Sequence, residues 1–280
     1  MAQSGSALAW GARGRRFKSS RPDHNFLNII NDRLKKILVT NDDGIDSRGI
    51  AVLADAMRQL GEVFIIAPAD EMSAISHALT LNAPLSYKRI DDHKFKIYGT
   101  PSDCVYLGVA HIINEKPDLV VSGINIGPNM GEDVTYSGTV AAAFEGCIME
   151  IPSIAFSLLG NPPKRFEATS DYCTAIAREV MKNGLPKSTL LNVNYPDSEI
   201  KGHRITRLGA RSYSENVHEI KDPRGKTYYW IGGEKVQWEK IDGSDYEAVM
   251  DGYVSITPLH LDLTHEISLN KLKKWNFNTR

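Results

Sequence analysis

Cysteine is scarce in this chain of 280 residues, and Cys104, Cys147 and Cys173 stand far apart. They form no CxxC pair, so neither a disulfide framework nor a zinc cluster is expected, and a reducing, cytoplasmic setting suits them. Net charge is almost absent. The formal value of -1 removes any global electrostatic case for nucleic acid or a membrane surface as partner. Long apolar runs are missing as well, since none reaches the ~18 residues that cross a bilayer. No GxGxxG occupies the first turn of the α/β pattern, which argues against a dinucleotide fold. No GxxxxGK[ST] occurs either, which excludes a P-loop NTPase. What is present is ordinary for a soluble globular protein: 42% apolar and 24% charged residues, in a chain long enough for one large domain.

The first 22 residues hold five arginines or lysines and no acid. They lack the apolar core of a secretory signal. Arg-rich, Ser-rich and acid-poor describes an organellar transit peptide or a plain tail, and residues 1–34 are read as a disordered extension, with 25–30 as a short ordered lead-in. Beyond it the chain alternates. Lys36–Thr40 reads as a strand, Gly49–Leu60 as a helix with Ile50, Leu53, Ala54 and Met57 at helical spacing, and Val63–Ala67 as a second strand. Strand, helix, strand within about thirty residues is a βαβ unit. Further strands are expected at Lys94–Tyr98, Asp118–Gly123, Ile151–Phe156 and Leu190–Asn194, and helices at Pro101–Ile113, Thr139–Met149 and Thr169–Asn183. The fold class expected is α/β, a Rossmann-like parallel-sheet core over residues 35–200.

After about residue 200 the pattern changes to strands separated by turns: 205–208, Lys226–Ile231 and Tyr253–Thr257, then a short helix near Leu269–Trp275. Residues 201–280 are therefore read as an extension with a hairpin and a terminal helix, partly completing the core. The aromatics Tyr228, Tyr229 and Trp230 fit packing or a contact with a second subunit better than a nucleobase platform.

Lys36–Thr40 runs straight into Asn41-Asp42-Asp43-Gly44. Open α/β sheets bind ligands at the carboxyl edge of their strands. Two adjacent carboxylates repel each other, and they persist ionised most easily around a cation. Two more polar segments follow strands and open on the same edge: Ser73 with Ser76 and His77, and Ser122-Gly-Ile-Asn125-Ile-Gly-Pro-Asn129. Two carboxylates, a hydroxyl and an amide carbonyl suit a hard cation such as Mg²⁺ or Mn²⁺ better than zinc. A fourth segment, Tyr136-Ser137-Gly138-Thr139-Val140, opens a helix, where hydroxyls and free backbone N–H groups make an anion site. A metal beside an anion cradle is the layout of a phosphomonoester site. Asp42 and Asp43 also have a plainer reading as turn residues, and Asn41, Asn125 and Asn129 as turn or orienting groups. Ser137 and Thr139 serve equally as helix cap or phosphate donors. His77 could serve a leaving alkoxide, but a lone histidine in a loop is more often structural. Asp103 reads as a capping-box carboxylate.

These segments together resemble the SurE family of survival-protein nucleotidases. The resemblance is carried by Ile37–Gly44, Ala67-Pro68, Ser73–Thr80, Gly99–Cys104, Val121–Asn129, Tyr136–Val140 and Gly252–Pro258, in the family's order. It implies a metal-dependent phosphatase of nucleoside 5′-monophosphates, with 3′-nucleotides and short polyphosphate also open as substrates. It implies a metal held by Asp42, Asp43, Ser73 and Asn125. Catalytic roles are expected for Asp42, Asp43 and Asn41, and substrate contacts for Ser137, Gly138, Thr139 and Asn129. Homodimers or homotetramers built by exchange of C-terminal elements are implied as well. Two other readings compete. An aspartyl-phosphate enzyme wants its carboxylates two residues apart, whereas these are adjacent. A non-catalytic nucleotide- or metal-binding assembly module would bind without turnover.

Overall fold

The computed structural model describes residues 33–160, 163–212, 217–231 and 237–277. Contacts divide the chain between Arg33 and Leu34, and the elements below belong to the unit from Leu34 onward; the N-terminal extension expected over 1–34 lies almost wholly outside the described residues. In chain order the elements are β1 (Lys36–Thr40), α1 (Arg48–Arg58), β2 (Glu62–Pro68), β3 (Tyr87–Arg89), β4 (Lys94–Ile97), α2 (Pro101–Leu107), β5 (Leu119–Ile126), α3 (Gly138–Ile148), β6 (Ser153–Leu158), α4 (Phe166–Asn183) and β7 (Thr189–Tyr195). Then follow β8 (His203–Ile205), β9 (Arg211–Ser212), β10 (Val217–Lys221), β11 (Thr227–Ile231), β12 (Gln237–Trp238), α5 (Asp245–Met250), β13 (Val254–His260) and α6 (Glu266–Leu272).

One nine-stranded sheet has the order β3-β4-β2-β1-β5-β6-β7-β13-β8. Its centre, from β4 to β7, is parallel, while β3 and β13 run antiparallel to their neighbours β4 and β7. The central strands read as near-continuous apolar runs because helices cover both faces. Alternation along β1 shows the two layers directly. Ile37 and Val39 join a core with Ile50, Leu53 and Met57 of α1 and Cys173 and Ala177 of α4. Leu38 points the other way, into a core with Val105 of α2 and Ala142 of α3. This is the α/β class expected from the sequence.

The chain leaves β1 toward β2 on one side and returns to β5 on the other. The order therefore reverses between β1 and β5, with Thr40 paired to Ser122 in register. A crevice outside the carboxyl ends of these two strands is the binding position such sheets offer. Asp42 and Asp43 lie just past β1, and Asn125 lies near the end of β5.

Several expected elements shift by a few residues. The helix expected to run from Pro101 to Ile113 is α-helical only to Leu107 and continues as a π-type turn over Gly108–Ile112. Thr100 is its N-cap, in a reciprocal capping box with Asp103. Residues after 200 contribute β8 and β13 to the main sheet, while β10 and β11 form a separate antiparallel ribbon. The sequence reading passed over β3 and α5, both too short to show a period.

Helix α1 sits unusually close to β5. A Cβ built on Gly49 would lie 2.0 Å from the Ile124 carbonyl oxygen, one residue before Asn125. Gly49→Ala should therefore push α1 off the sheet and destabilise the fold by about 1–3 kcal/mol, read as a lower urea midpoint. An unchanged midpoint would mean that α1 does not pack there so closely.

Candidate active site

The turn after β1 is built by Asn41. Its Nδ2 donates to the Gly44 carbonyl at 2.9 Å and to Ser47 Oγ at 2.8 Å. Ser47 in turn caps α1. Gly44 takes φ +92°, a left-handed conformation that favours glycine. The Ile45 N–H donates to the Pro68 carbonyl at 2.9 Å, which ties the turn to the end of β2. Asn41 itself is fully buried. Its Nδ2 thus shapes the turn, while its buried Oδ1 meets no hydrogen-bond partner among the described residues.

Asp42 is buried and meets the N-terminus of α3. The Thr139 N–H donates to Asp42 Oδ2 at 2.9 Å, and the Thr139 hydroxyl donates to Oδ1. A Cβ on Gly138 would lie 2.9 Å from Asp42 Cβ, so this close approach requires glycine. Asp43 turns to the other wall of the crevice, where its Oδ2 accepts the Ile126 N–H at 3.1 Å. That bond brings the Asn125 segment beside it. The amide nitrogen of Asn125 is engaged by the Gly127 carbonyl at 2.8 Å, which leaves Oδ1 as its available ligand atom. The loop after β2 closes the third side. The Met72 N–H donates to the Asp42 carbonyl at 2.8 Å, and Ser73 Oγ donates to Glu71 Oε1 at 2.6 Å.

Four loops thus meet around Asp42 and Asp43. Burial, the dominant cause, raises the Asp42 carboxyl above its ordinary value against the pull of the Thr139 hydrogen bonds, with the Glu71 charge adding to the rise. Asp43 is pushed from 3.8 to about 7, first by burial and then by the charges of Asp42 and Glu71. Among the described residues no lysine, arginine or histidine stands among the main causes of either shift. Among the described residues no three His, Cys, Asp or Glu side chains gather as a metal cluster. The loops of Ser73 and Asn125, tied to the acid turn through the Met72 and Ile126 N–H groups, bring neutral oxygens to the same sheet edge. A buried and a half-buried acid side by side, with no ion-pair partner among the described residues, are a pair that a hard divalent cation would suit.

The turn expected to meet an anion is the first turn of α3. Ser137 is the N-cap, accepting the Val140 N–H at 3.1 Å, and its hydroxyl proton remains for a ligand. The Gly138 N–H meets no protein acceptor among the described residues. Thr139 differs from expectation, because both its donors are spent on Asp42. Asn129 differs too. Its N–H donates to Asn194 Oδ1 at 2.8 Å, its carbonyl accepts from Asn192 and Asn194, and its Nδ2 donates to Ser157 Oγ at 2.9 Å. Buried in that network, Asn129 anchors the loop and does not reach for phosphate.

Glu71 escaped the sequence reading. An acid two residues before Ser73, in a loop at the same sheet edge, was the available signal. Asp103 acts as the expected cap and also receives the Thr80 N–H and hydroxyl, at 2.8 and 2.6 Å.

A family model described as "Survival protein SurE" matches residues 37–215. The chain is 49% identical over 245 residues to "5′-nucleotidase SurE" of Geotalea uraniireducens (strain Rf4), covering 86% of this chain and 99% of that protein. To the protein of the same description from Aquifex aeolicus (strain VF5) it is 49% identical over 241 residues, 84% of this chain and 96% of the relative. A solved structure, "Crystal Structure of Sure Protein from Aquifex aeolicus", superposes with a TM-score of 0.77 at 48% identity, covering 85% of this chain and 98% of that one.

The raised carboxyls carry a testable sign. Between 3.8 and about 7 the folded protein without metal holds a proton on Asp43 that the unfolded chain has released. Its stability should therefore fall as pH rises through that window. Asp42 adds a change of the same sign. Denaturation in EDTA at pH 5 and pH 8 should show the loss, Asp43→Asn should make it shallower, and Mn²⁺ at pH 8 should restore stability. Equal pH slopes for the parent and Asp43→Asn would contradict the assignment.

Proposed function

The chain belongs to the Survival protein SurE family, and on that premise we propose that it is a metal-dependent 5′-nucleotidase that hydrolyses nucleoside 5′-monophosphates to nucleoside and phosphate. The observation that carries this reading is the meeting of Asp42 with the first turn of α3. It puts a cation-type acid pair and an anion-type helix end on one crevice.

In this proposal Asp42, Asp43, Ser73 and Asn125 hold Mg²⁺ or Mn²⁺. When bound, such an ion polarises a phosphoryl oxygen and lowers the pKa of a water. The chain's own residues supply the rest. Ser137 Oγ–H and the Gly138 N–H donate to phosphate oxygens at the positive end of α3. Thr139 keeps Asp42 aligned with that cradle. Asn41 and Asn129 hold the two turns that carry the ligands. Water's oxygen forms a new bond to phosphorus as the bond to the nucleoside oxygen breaks, and the departing oxygen takes up a proton. Because the cradle reads the phosphoryl group, 3′-nucleotides and short polyphosphate fall within the proposed range.

The β10–β11 ribbon supports a further part of the proposal. Its apolar side chains are exposed, Trp230 to 65% and Ile231 to 90%. A two-stranded ribbon is marginal by itself in water. We assign it to contact with a second copy, giving a homodimer or homotetramer. No helix among the described residues is long and apolar enough to cross a membrane. The three cysteines are buried and unpaired, which suits the cytoplasmic location that belongs to the same proposal.

Two experiments test this. Phosphate should be released from AMP or GMP with Mg²⁺ or Mn²⁺, and Asp42→Asn should lower kcat/KM by roughly 100-fold or more. Full turnover in excess EDTA, or by that variant, would end the reading. For assembly, Trp230→Asp with Ile231→Asp should shift the mass measured by light scattering toward the monomer, whereas an unchanged mass would remove the ribbon from the interface.

A further inference from the structure

The loop carrying Ser73 is held in a conformation it would not adopt alone. Ala74 and Ser76 have φ of +56° and +57°, in the left-handed region that L-residues other than glycine rarely occupy. Such a conformation persists only where surrounding contacts enforce it. Three anchors do so. Ser76 donates its N–H to the Tyr136 carbonyl at 3.0 Å and its hydroxyl to the Thr135 carbonyl at 2.7 Å. Thr80 donates to Asp103 at the start of α2. Between these, His77 Nε2 lies 2.8 Å from Glu145 Oε2, and its ring stacks on Phe144 with centroids 6.3 Å apart.

The third anchor is chemically unusual. Glu145 lies on α3, whose other buried residues are mostly small and apolar. Its side chain is 4% exposed, against 33% for His77. A carboxylate in such a place costs free energy unless it is hydrogen-bonded, and among the described residues His77 is the side chain that bonds it. The same helix presents the Ser137–Gly138 cradle at its N-terminus.

We propose that His77 and Glu145 form a positioning couple. By pinning the strained Ala74–Ser76 turn to α3, the pair fixes where Ser73 stands relative to the phosphate cradle and to Asp42. This role rests on the reading of Ser73 as a metal ligand. His77 acts here through the loop, without touching substrate.

Mn²⁺ binding to the substrate-free protein, followed by the electron paramagnetic resonance of free Mn²⁺, tests the proposal. His77→Ala should weaken binding about ten-fold, the scale of losing an outer support of a ligand. Amide exchange should accelerate over residues 73–77 and stay at the parent level in β1 and β5. His77→Gln, whose amide can still donate to Glu145, should recover most of the affinity. His77→Ser, polar but too short to reach Glu145, should behave as the alanine variant does and provides the same test if that variant fails to fold. Asp43→Asn is the control. If it retains Mn²⁺ binding, the metal reading itself fails. If it loses binding while His77→Ala and His77→Ser bind Mn²⁺ as the parent does, the positioning couple is overturned and the metal reading stands.

Discussion

The bond between Asp42 and Thr139 joins the two halves of the site. Asp42 belongs to the turn after β1, and Thr139 to the first turn of α3. Both Thr139 donors go to the carboxylate. A helix N-terminus favours negative charge nearby, so the helix partly offsets the cost of burying Asp42. The burial still dominates and raises its pKa. That residual imbalance is what a cation would relieve in the proposed reading. Were Asp42 fully satisfied by hydrogen bonds, a metal would gain less there. Were it unsupported, the turn would not hold its shape.

Close approach is the condition for that bond, and small residues provide it. Gly138 lets Asp42 reach α3, and Gly146 lets the same helix lie against Val120 and Ser153, where a Cβ would come within 2.4 Å of Ser153 Oγ. Gly49 does the same for α1 against β5. The carbonyl and amide groups of the Asn129 loop, which must cross from β5 to α3, are satisfied by Asn192, Asn194 and Ser157 on the neighbouring strands. Polar residues inside β6 and β7 would be costly without such partners. Here they set the path of the loop that delivers Asn125 and the α3 cradle to one crevice.

The parallel core was legible because its strands are buried on both faces and its helices repeat their apolar residues at helical spacing. The acid pair was legible because strand one stops at charged residues. Short elements were not: β3 and α5 have too few residues to display a period. Roles within the site were less legible than membership in it. Asn41, Asn129 and Thr139 carry groups that could serve a ligand or the backbone with equal chemistry, and only the partners decide. Asn41 Nδ2 is taken by Gly44 and Ser47, Asn129 by the strands beside it, and Thr139 by Asp42. Glu71 shows the reverse case, because its proximity to Asp42 depends on the Met72–Asp42 backbone bond, which no local pattern announces.

The placement at the strand reversal explains why the two charge types coexist without cancelling. β1 and β5 diverge in connection, one toward α1 and the other toward α3, so the space past their ends is left unfilled by a crossover. Acids from the β1 turn occupy one wall, and α3 directs its N-terminus to the same place from the β5 side. Had the acids been paired with a lysine or arginine, their charge would be spent and neither ion nor phosphate would gain from the site. Among the described residues no cation stands among the main causes that shift Asp42 and Asp43, so in the proposed reading the acids are left to a metal ion and the Ser137–Gly138 end of α3 to the anion it would meet.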